Sequence, residues 1–198
     1  MSYVSIYLKE KKHDLREKMT IYIALLRGIN VGGHKIIKMA DLKQQLETSL
    51  GLSKVKTYIQ SGNVVFESNE EADKLCQRIE QQINTTFGFP VPVILRTSKE
   101  WEQIIDSCPY PVETLLEGES VHLTLLSEIP SQEALNQLTK FQSDIDQYHV
   151  QGKEIYLFFR QSFRDSKLPL QFQKLGVSST IRNWKTTMKL ATMTKAME

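Results

Sequence analysis

The stretch IYIALLRGINVGG, residues 21–33, decides the fold class because an apolar segment runs directly into a glycine-rich polar loop. Residues 21–26 have the continuous apolar character of a strand that is buried on both faces. The loop that follows places a guanidinium and three glycines at the end of this strand. A second polar turn, residues 60–63 (QSGN), separates two further strand-like segments. We therefore expect a mixed chain with polar loops at strand ends.

Working outward from this stretch, apolar periodicity predicts the order β-α-β-β-α-β over residues 21–96. Ser68 and Glu71 have the spacing of a capping box, which predicts that the second helix opens there and runs through Ile83. An additional helix is predicted at about 98–108. This order of elements is the split β-α-β arrangement of ferredoxin-like folds.

The second half of the chain repeats the order of the first, from a strand at 121–126 to a terminal helix that begins at Trp184. The sequence thus predicts an α+β protein with two ferredoxin-like β-α-β-β-α-β halves in tandem, each followed by an extra helix. The expected boundaries are an N-terminal extension (1–18), a first unit with its helix (19–108), a linker (109–119) and a second unit with the C-terminal helix (120–198).

Composition narrows the class of protein. A net charge of +2, from 25 basic and 23 acidic residues, gives no global field that would recruit nucleic acid or an anionic membrane. No apolar run approaches the roughly 20 residues of a membrane span, and no signal peptide is recognised, so a cytoplasmic protein is expected. Cys76 and Cys108 lie in apolar helical stripes and are interpreted as reduced core thiols. Scattered histidines and the lack of a phosphate-loop pattern predict neither a metal nor a cofactor.

Four motifs taken together resemble the bacterial domain-of-unknown-function 1697 family: RGINVGG (27–33), YIQSGNV (58–64), SKL (166–168) and TIRNWKT (180–186). The resemblance covers nearly everything after Met19. It implies a cytosolic α+β protein with two related ferredoxin-like halves. It implies no activity, because no catalytic residues are established for that family. The segment between Lys167 and Leu175 looks shorter than the family's usual form.

Ferredoxin-like topology predicts where the polar motifs lie. The first strand ends at the same sheet edge as the turn between the second and third strands, so the 27–33 loop and the 60–63 turn should converge. In the second half, the same reasoning brings Arg164 and Lys167 near the end of the last strand. Guanidinium, amide, hydroxyl and loop N–H groups suit a phosphate or a carboxylate. The candidate ligand-binding residues are Arg27, Asn30, Gln60, Ser61, Asn63, Lys167, Arg182 and Asn183.

Each of these residues also has a structural interpretation. The glycines can supply positive φ at turns, Asn30 and Asn63 can cap those turns, and Asn183 can be the N-cap of the last helix. Arg27 and Arg182 can each pair with a carboxylate across the interface between the halves. Both interpretations stay open at the level of the sequence.

The favoured function is therefore the binding of a small anionic or phosphorylated ligand at strand-end loops, with no catalytic residue assigned. One alternative is single-stranded nucleic-acid binding through aromatic side chains on the sheet faces, the candidates being Tyr22, Phe66, Tyr156 and Phe158. The other is a protein-interaction or dimerisation module, because a sheet face that its own helices leave uncovered must meet something. A homodimer is left open, and no membrane partner is expected.

Overall fold

The computed structural model describes residues 19–198 and shows a mixed α+β protein with two four-stranded antiparallel sheets. The predicted extension, residues 1–18, lies outside the described residues. The first sheet has the order β2-β3-β1-β4 and the second the order β6-β7-β5-β8. The strands are β1 (Thr20–Leu26), β2 (Ser53–Tyr58), β3 (Asn63–Ser68), β4 (Val93–Thr97), β5 (Ser120–Leu126), β6 (Asp146–Gln151), β7 (Glu154–Phe159) and β8 (Ser179–Asn183).

Six α-helices connect and follow these strands in residues 19–198. They are α1 (Met39–Thr48), α2 (Ala72–Phe87), α3 (Ser98–Asp106), α4 (Gln132–Leu138), α5 (Leu168–Gln171) and α6 (Trp184–Lys195). Short 3-10 helices extend α4 over Thr139–Phe141 and α5 over Phe172–Leu175. The observed order of elements agrees with the one that periodicity predicts for residues 20–195.

The predicted capping box at Ser68 is wrong. Ser68 is still paired with Thr20 in the sheet, so β3 continues to that residue and the helix cannot begin there. Its hydroxyl accepts a hydrogen bond from the Glu70 N–H, and α2 begins at Ala72 without a side-chain cap. The helix also runs past Ile83, because the left-handed Gly88 ends it at Phe87.

The two sheets face each other across a shared core that also includes side chains of α3 and α6. Alternate residues of β1 serve two cores: Tyr22, Ala24 and Leu26 pack under α1 and α2, whereas Ile23 and Leu25 point into the interface between the sheets. This explains why residues 21–26 are apolar on both faces. The shared interface contains Ile23, Leu25, Val65, Ile94, Leu123, Leu125 and Tyr156 together with Trp101, Ile104 and Leu190 from α3 and α6.

Two arginines at equivalent positions join the halves reciprocally. Arg96 on β4 donates from Nη2 to the Leu126 carbonyl at 2.9 Å, and Arg182 on β8 donates from Nη2 to the Leu26 carbonyl at 3.1 Å. Each also donates from Nη1 to the carbonyl of the residue before it, at 2.8 Å and 2.9 Å respectively. Leu26 and Leu126 end the first strand of each sheet. The seam therefore has the reciprocal contacts of a two-fold interface within a single chain.

His122 makes the stability of the fold sensitive to acid. Its ring stacks on Phe163 with centroids 4.5 Å apart, and within residues 19–198 its buried Nδ1 has no hydrogen-bond partner. Burial lowers the pKa of His122 from 6.5 to about 4. The unfolded chain therefore binds the proton first, and stability falls as the pH drops from 6.5 to 4. Because the ring is only half-buried, we expect a loss of about 2 kcal/mol.

Urea unfolding at pH 7 and at pH 4 measures this loss. His122→Phe keeps an aromatic ring against Phe163 and removes the titration, so it should lose about 2 kcal/mol less than the parent protein between the two pH values. An equal loss in both proteins would show that carboxylates alone cause the acid sensitivity.

Candidate functional site

The 27–33 loop and the 60–63 turn lie side by side at the end of the first sheet, as the strand order requires. Leu25 is the register partner of Asn63, and the Leu26 N–H donates to the Gly62 carbonyl at 2.8 Å. We call residues 27–38 and 58–63 together the loop–turn surface. Its two segments are distant in sequence and are joined by direct hydrogen bonds.

Asn30 holds the loop to the turn. Its side-chain Nδ2 donates to the Gln60 carbonyl at 2.8 Å and to the Ile37 carbonyl at 3.0 Å, and its Oδ1 accepts from the Ile37 N–H at 2.9 Å. Both amide protons are therefore used inside the protein. The backbone of Asn30 is left-handed, with φ at 54°, a conformation that asparagine tolerates well. Asn30 thus shapes the surface instead of offering its side chain to a ligand.

Asn63 plays a similar part in the turn. It is fully buried, and its Nδ2 donates at 3.0 Å both to the Tyr58 carbonyl and to the Ser61 hydroxyl. Its Oδ1 accepts from Nε of Arg182. Asn63 therefore links the turn of the first half to β8 of the second half.

Arg182 lies directly beneath the loop–turn surface, with 7% of its area exposed. Its Nη2 donates to the carbonyls of Leu26, Ser61 and Gly62, and its Nη1 donates to the Thr180 hydroxyl at 2.7 Å. No ion pair in residues 19–198 includes Arg182, so no carboxylate of these residues pairs with it across the interface. Burial lowers the pKa of Arg182 to about 10.

The equivalent arginine of the other half is neutralised. Nε of Arg96 donates to the Glu154 carboxylate at 2.9 Å, where Nε of Arg182 meets the Asn63 amide instead. Arg96 is not among the candidate residues that the sequence predicts. The signal that could have found it is its place at the end of a strand, directly before a helix, which matches the place of Arg182. Two clefts of about 240 Å³ and 370 Å³ adjoin Arg96 at this side of the seam.

Arg27, Gln60 and Ser61 present side-chain groups at the loop–turn surface. The Arg27 backbone N–H donates to the Pro92 carbonyl. Its guanidinium makes no hydrogen bond or ion pair among residues 19–198. Gln60 and Ser61 are exposed. The Ser61 hydroxyl accepts from Asn63 and keeps its own proton available. Among the candidates at this surface, these three side chains have polar groups that are not used in hydrogen bonds within residues 19–198 and could contact a ligand.

Lys167 and Asn183 are not joined to this group by hydrogen bonds within the described residues. Lys167 is exposed just before α5, and the Asn183 side chain accepts from the Thr186 N–H at 2.8 Å as the N-cap of α6. No side-chain hydrogen bond found in residues 19–198 joins either of them to the loop–turn surface. The candidates that the structure brings together are Arg27, Asn30, Gln60, Ser61, Asn63 and Arg182.

The aromatic side chains considered for base stacking are buried. None of the four, Tyr22, Phe66, Tyr156 and Phe158, is more than 5% exposed. Tyr156 lies in the interface between the sheets and donates its hydroxyl proton to the Ile104 carbonyl at 2.7 Å. The sheet faces therefore offer these rings to the protein core. The apolar faces considered for a partner protein are likewise covered by the other half of the same chain.

Residues 19–198 contain neither a cluster of metal-ligating side chains nor a helix that could cross a membrane. No three histidine, cysteine, aspartate or glutamate side chains in this range gather closely enough to hold a metal ion. No helix in the same range has both the length and the apolar character that a membrane crossing requires.

Comparison with known proteins gives a family and a related structure. A family model described as "Protein of unknown function (DUF1697)" matches residues 19–156. The solved structure of the conserved bacterial protein SP0830 from Streptococcus pneumoniae is similar, with 28% identity and a TM-score of 0.68 over 88% of this chain and 98% of that chain. No protein of curated function matches significantly. By the extent of the family match, the chain belongs to the DUF1697 family.

Proposed function

We propose that the loop–turn surface binds a small anionic ligand through a phosphate or carboxylate group. The observation that supports this most strongly is the buried charge of Arg182 directly beneath the surface, which no carboxylate in residues 19–198 compensates. A buried cation without a counter-charge raises the local potential, because the low dielectric around it screens it poorly. An anion placed above the turn would gain from that potential.

The rest of the surface supports the same sign of charge. Residues 20–40 and 49–66 contain no aspartate or glutamate. The loop itself carries exposed Lys38 in addition to Arg27. In the equivalent place of the second half, Glu154 neutralises the charge of Arg96. The two equivalent arginines of one molecule thus differ in whether a carboxylate pairs with them. The favourable potential for an anion is therefore confined to the first of the two equivalent places.

The proposal gives each residue a distinct role. Arg27 contacts the anion and provides a forked donor, and Gln60 and Ser61 donate additional hydrogen bonds. Asn30 and Asn63 fix the geometry, and Arg182 acts through its field without touching the ligand. Lys167 and Asn183 take no part in this version of the site. The proposal assigns binding and no reaction.

Thr180→Asp tests the role of the buried charge. Thr180 is 6% exposed and its hydroxyl already lies 2.7 Å from Nη1 of Arg182, so an aspartate there would supply the missing carboxylate. With an anion about 8 Å from Arg182 and an effective dielectric of about 20, the lost attraction is about 2 kcal/mol. We expect at least a tenfold weaker affinity for inorganic phosphate. Thr180→Val is the matched control, because it removes the hydrogen bond and leaves the charge.

Phosphate binding is measured on the full chain by following backbone amide signals in nuclear magnetic resonance spectra. Saturable shifts at Arg27, Gln60 and Ser61 are expected in the parent protein and in Thr180→Val, and they should be lost in Arg27→Ala. Shifts that do not saturate in the parent protein would contradict binding at this surface. Equal affinities in Thr180→Asp and Thr180→Val would contradict the role of Arg182.

We further infer that each half is a ferredoxin-like unit and that residues 109–119 are the linker between them. Three features support this inference: both halves share one order of elements, both sheets share one strand order, and the seam arginines are reciprocal. A cytoplasmic location and a homodimer stay predictions from the sequence.

A further inference from the structure

Exposed aliphatic side chains surround Asn30, whose hydrogen bonds shape the loop–turn surface. The Asn30 side chain bonds to Gln60 and Ile37, and an exposed aliphatic residue is the chain neighbour of each of the three. These neighbours are Val31, Ile59 and Ile36, which are 65%, 50% and 58% exposed. Of the nine large hydrophobic side chains that are strongly exposed in residues 19–198, three fall in these two short segments. The anion site thus has an apolar rim.

Ile59 is the most informative of the three. It has a left-handed backbone with φ at 49°, although it is β-branched and half of its side chain is exposed. A β-branched residue in this conformation is a true outlier, and glycine or asparagine would adopt it with less strain. Neither core packing nor backbone preference explains an isoleucine at this turn. Strained residues of this kind concentrate where a ligand is recognised.

The chemistry of the surface combines an aliphatic rim with cations and lacks carboxylates. Such a surface complements a molecule that has an anionic head and an apolar tail. We infer that the ligand is an organic phosphate or carboxylate that carries an aliphatic chain of several carbons. The head lies at Arg27, and the chain lies over Val31, Ile36 and Ile59. This inference rests on the proposed function, and it adds the chemical class of the ligand.

A series of alkyl phosphates tests the tail separately from the head. Full burial of a methylene group is worth about fourfold in affinity, and partial burial on an open rim should give about twofold. Hexyl phosphate should therefore bind at least tenfold more tightly than ethyl phosphate, while inorganic phosphate reports on the head alone. The same amide signals are followed, with hexyl phosphate kept below its aggregation concentration.

Two variants make the test specific. Ile59→Asn removes the aliphatic side chain and accepts the left-handed backbone, so it should bind inorganic phosphate as before and lose most of the gain from the longer chain. Leu116→Asn is the matched control, because Leu116 is 70% exposed and lies outside the loop–turn surface. It should keep the full dependence on chain length.

The outcomes separate the two proposals. Binding of inorganic phosphate with no gain from ethyl to hexyl phosphate would overturn the aliphatic tail and leave the anion site standing. Failure of every phosphate and of hexanoate to bind would overturn the anion site itself. Binding to vesicles of phosphatidylglycerol without binding of monomeric hexyl phosphate would overturn the inference that the ligand is a free molecule in solution. It would indicate that the surface binds a lipid headgroup in a membrane.

Discussion

Replacing Arg182 with methionine is expected to lower the free energy of unfolding by about 3 kcal/mol. The methionine can fill much of the volume, but it cannot donate to the Leu26 carbonyl or to Oδ1 of Asn63. These acceptors would stay buried without a partner. The resulting loss of stability exceeds the gain from no longer burying a cation. Equilibrium unfolding in urea measures the difference.

Arg96→Met is the internal control for this prediction. Arg96 also bridges the seam, but its partner Glu154 lines a cleft of about 240 Å³ and can turn toward water once the arginine is gone. We therefore expect a smaller loss, of about 2 kcal/mol. We expect Arg182→Lys to lower the free energy of unfolding by more than half as much as Arg182→Met does. One ammonium group cannot reproduce the forked donor geometry of the guanidinium. A stability loss at Arg96 that exceeds the loss at Arg182 would contradict this account of the seam.

Replacing Gly62 with alanine is expected to cost about 3 kcal/mol of stability. The backbone there has φ at 77°, which alone costs an alanine about 1 kcal/mol. The added Cβ would also lie 2.6 Å from Cβ of Leu26 and 2.8 Å from Cδ1 of Ile29. Cβ of Leu26 is fixed to its strand and cannot move aside, so the turn itself must shift.

Gly33→Ala separates the two contributions in the Gly62 variant. Gly33 has the same φ of 77°, but no atom lies within 4 Å of the position that its Cβ would take. Its substitution should therefore cost about 1 kcal/mol, the conformational part alone. Thermal or urea unfolding of both variants gives the comparison. Equal losses would show that the contact with Leu26 relaxes without cost.

The burial of Cys76 was predictable from helical spacing, whereas Cys108 lies beyond the end of α3 at Asp106, so its predicted place in a helical stripe is wrong. Cys76 is half-buried on α2, and its thiol donates to the Val93 carbonyl at 3.1 Å. Burial, reinforced by Glu80 and Asp73, raises the pKa of this thiol to about 11. The thiol is thus a protonated donor to the outer edge of β4. A local pattern predicted this because the periodicity of a helix decides which of its side chains face the core.

Some features of the candidate site were also predictable from the sequence. Strand order placed the loop and the turn together, because antiparallel neighbours meet where one begins and the other ends. The structural interpretation of Asn183 as an N-cap is confirmed. The start of α2 was not predictable, since a capping-box pattern is also compatible with a serine that is still paired in a strand. Local patterns thus predicted the elements better than their ends.

The role of Arg182 shows what the sequence did not contain. An arginine just before a helix is typical of an exposed side chain that binds an anion. No residue near Arg182 in the sequence indicates that it is buried. Its partners Leu26, Ser61 and Asn63 are more than a hundred residues away. Only the packing of the two halves buries it, away from every carboxylate of residues 19–198 that forms an ion pair.

The sequence by itself determined the elements, their order and the surface where its glycine-rich loop and turn meet. These follow from periodicity and turn chemistry, which act over a few residues. The tertiary structure alone decided which polar side chains are exposed and which are used inside the protein. It also decided that the inner faces of the two sheets meet in one core together with α3 and α6. These properties depend on contacts between distant residues, because burial and electrostatic potential belong to the assembled chain and not to any segment of it.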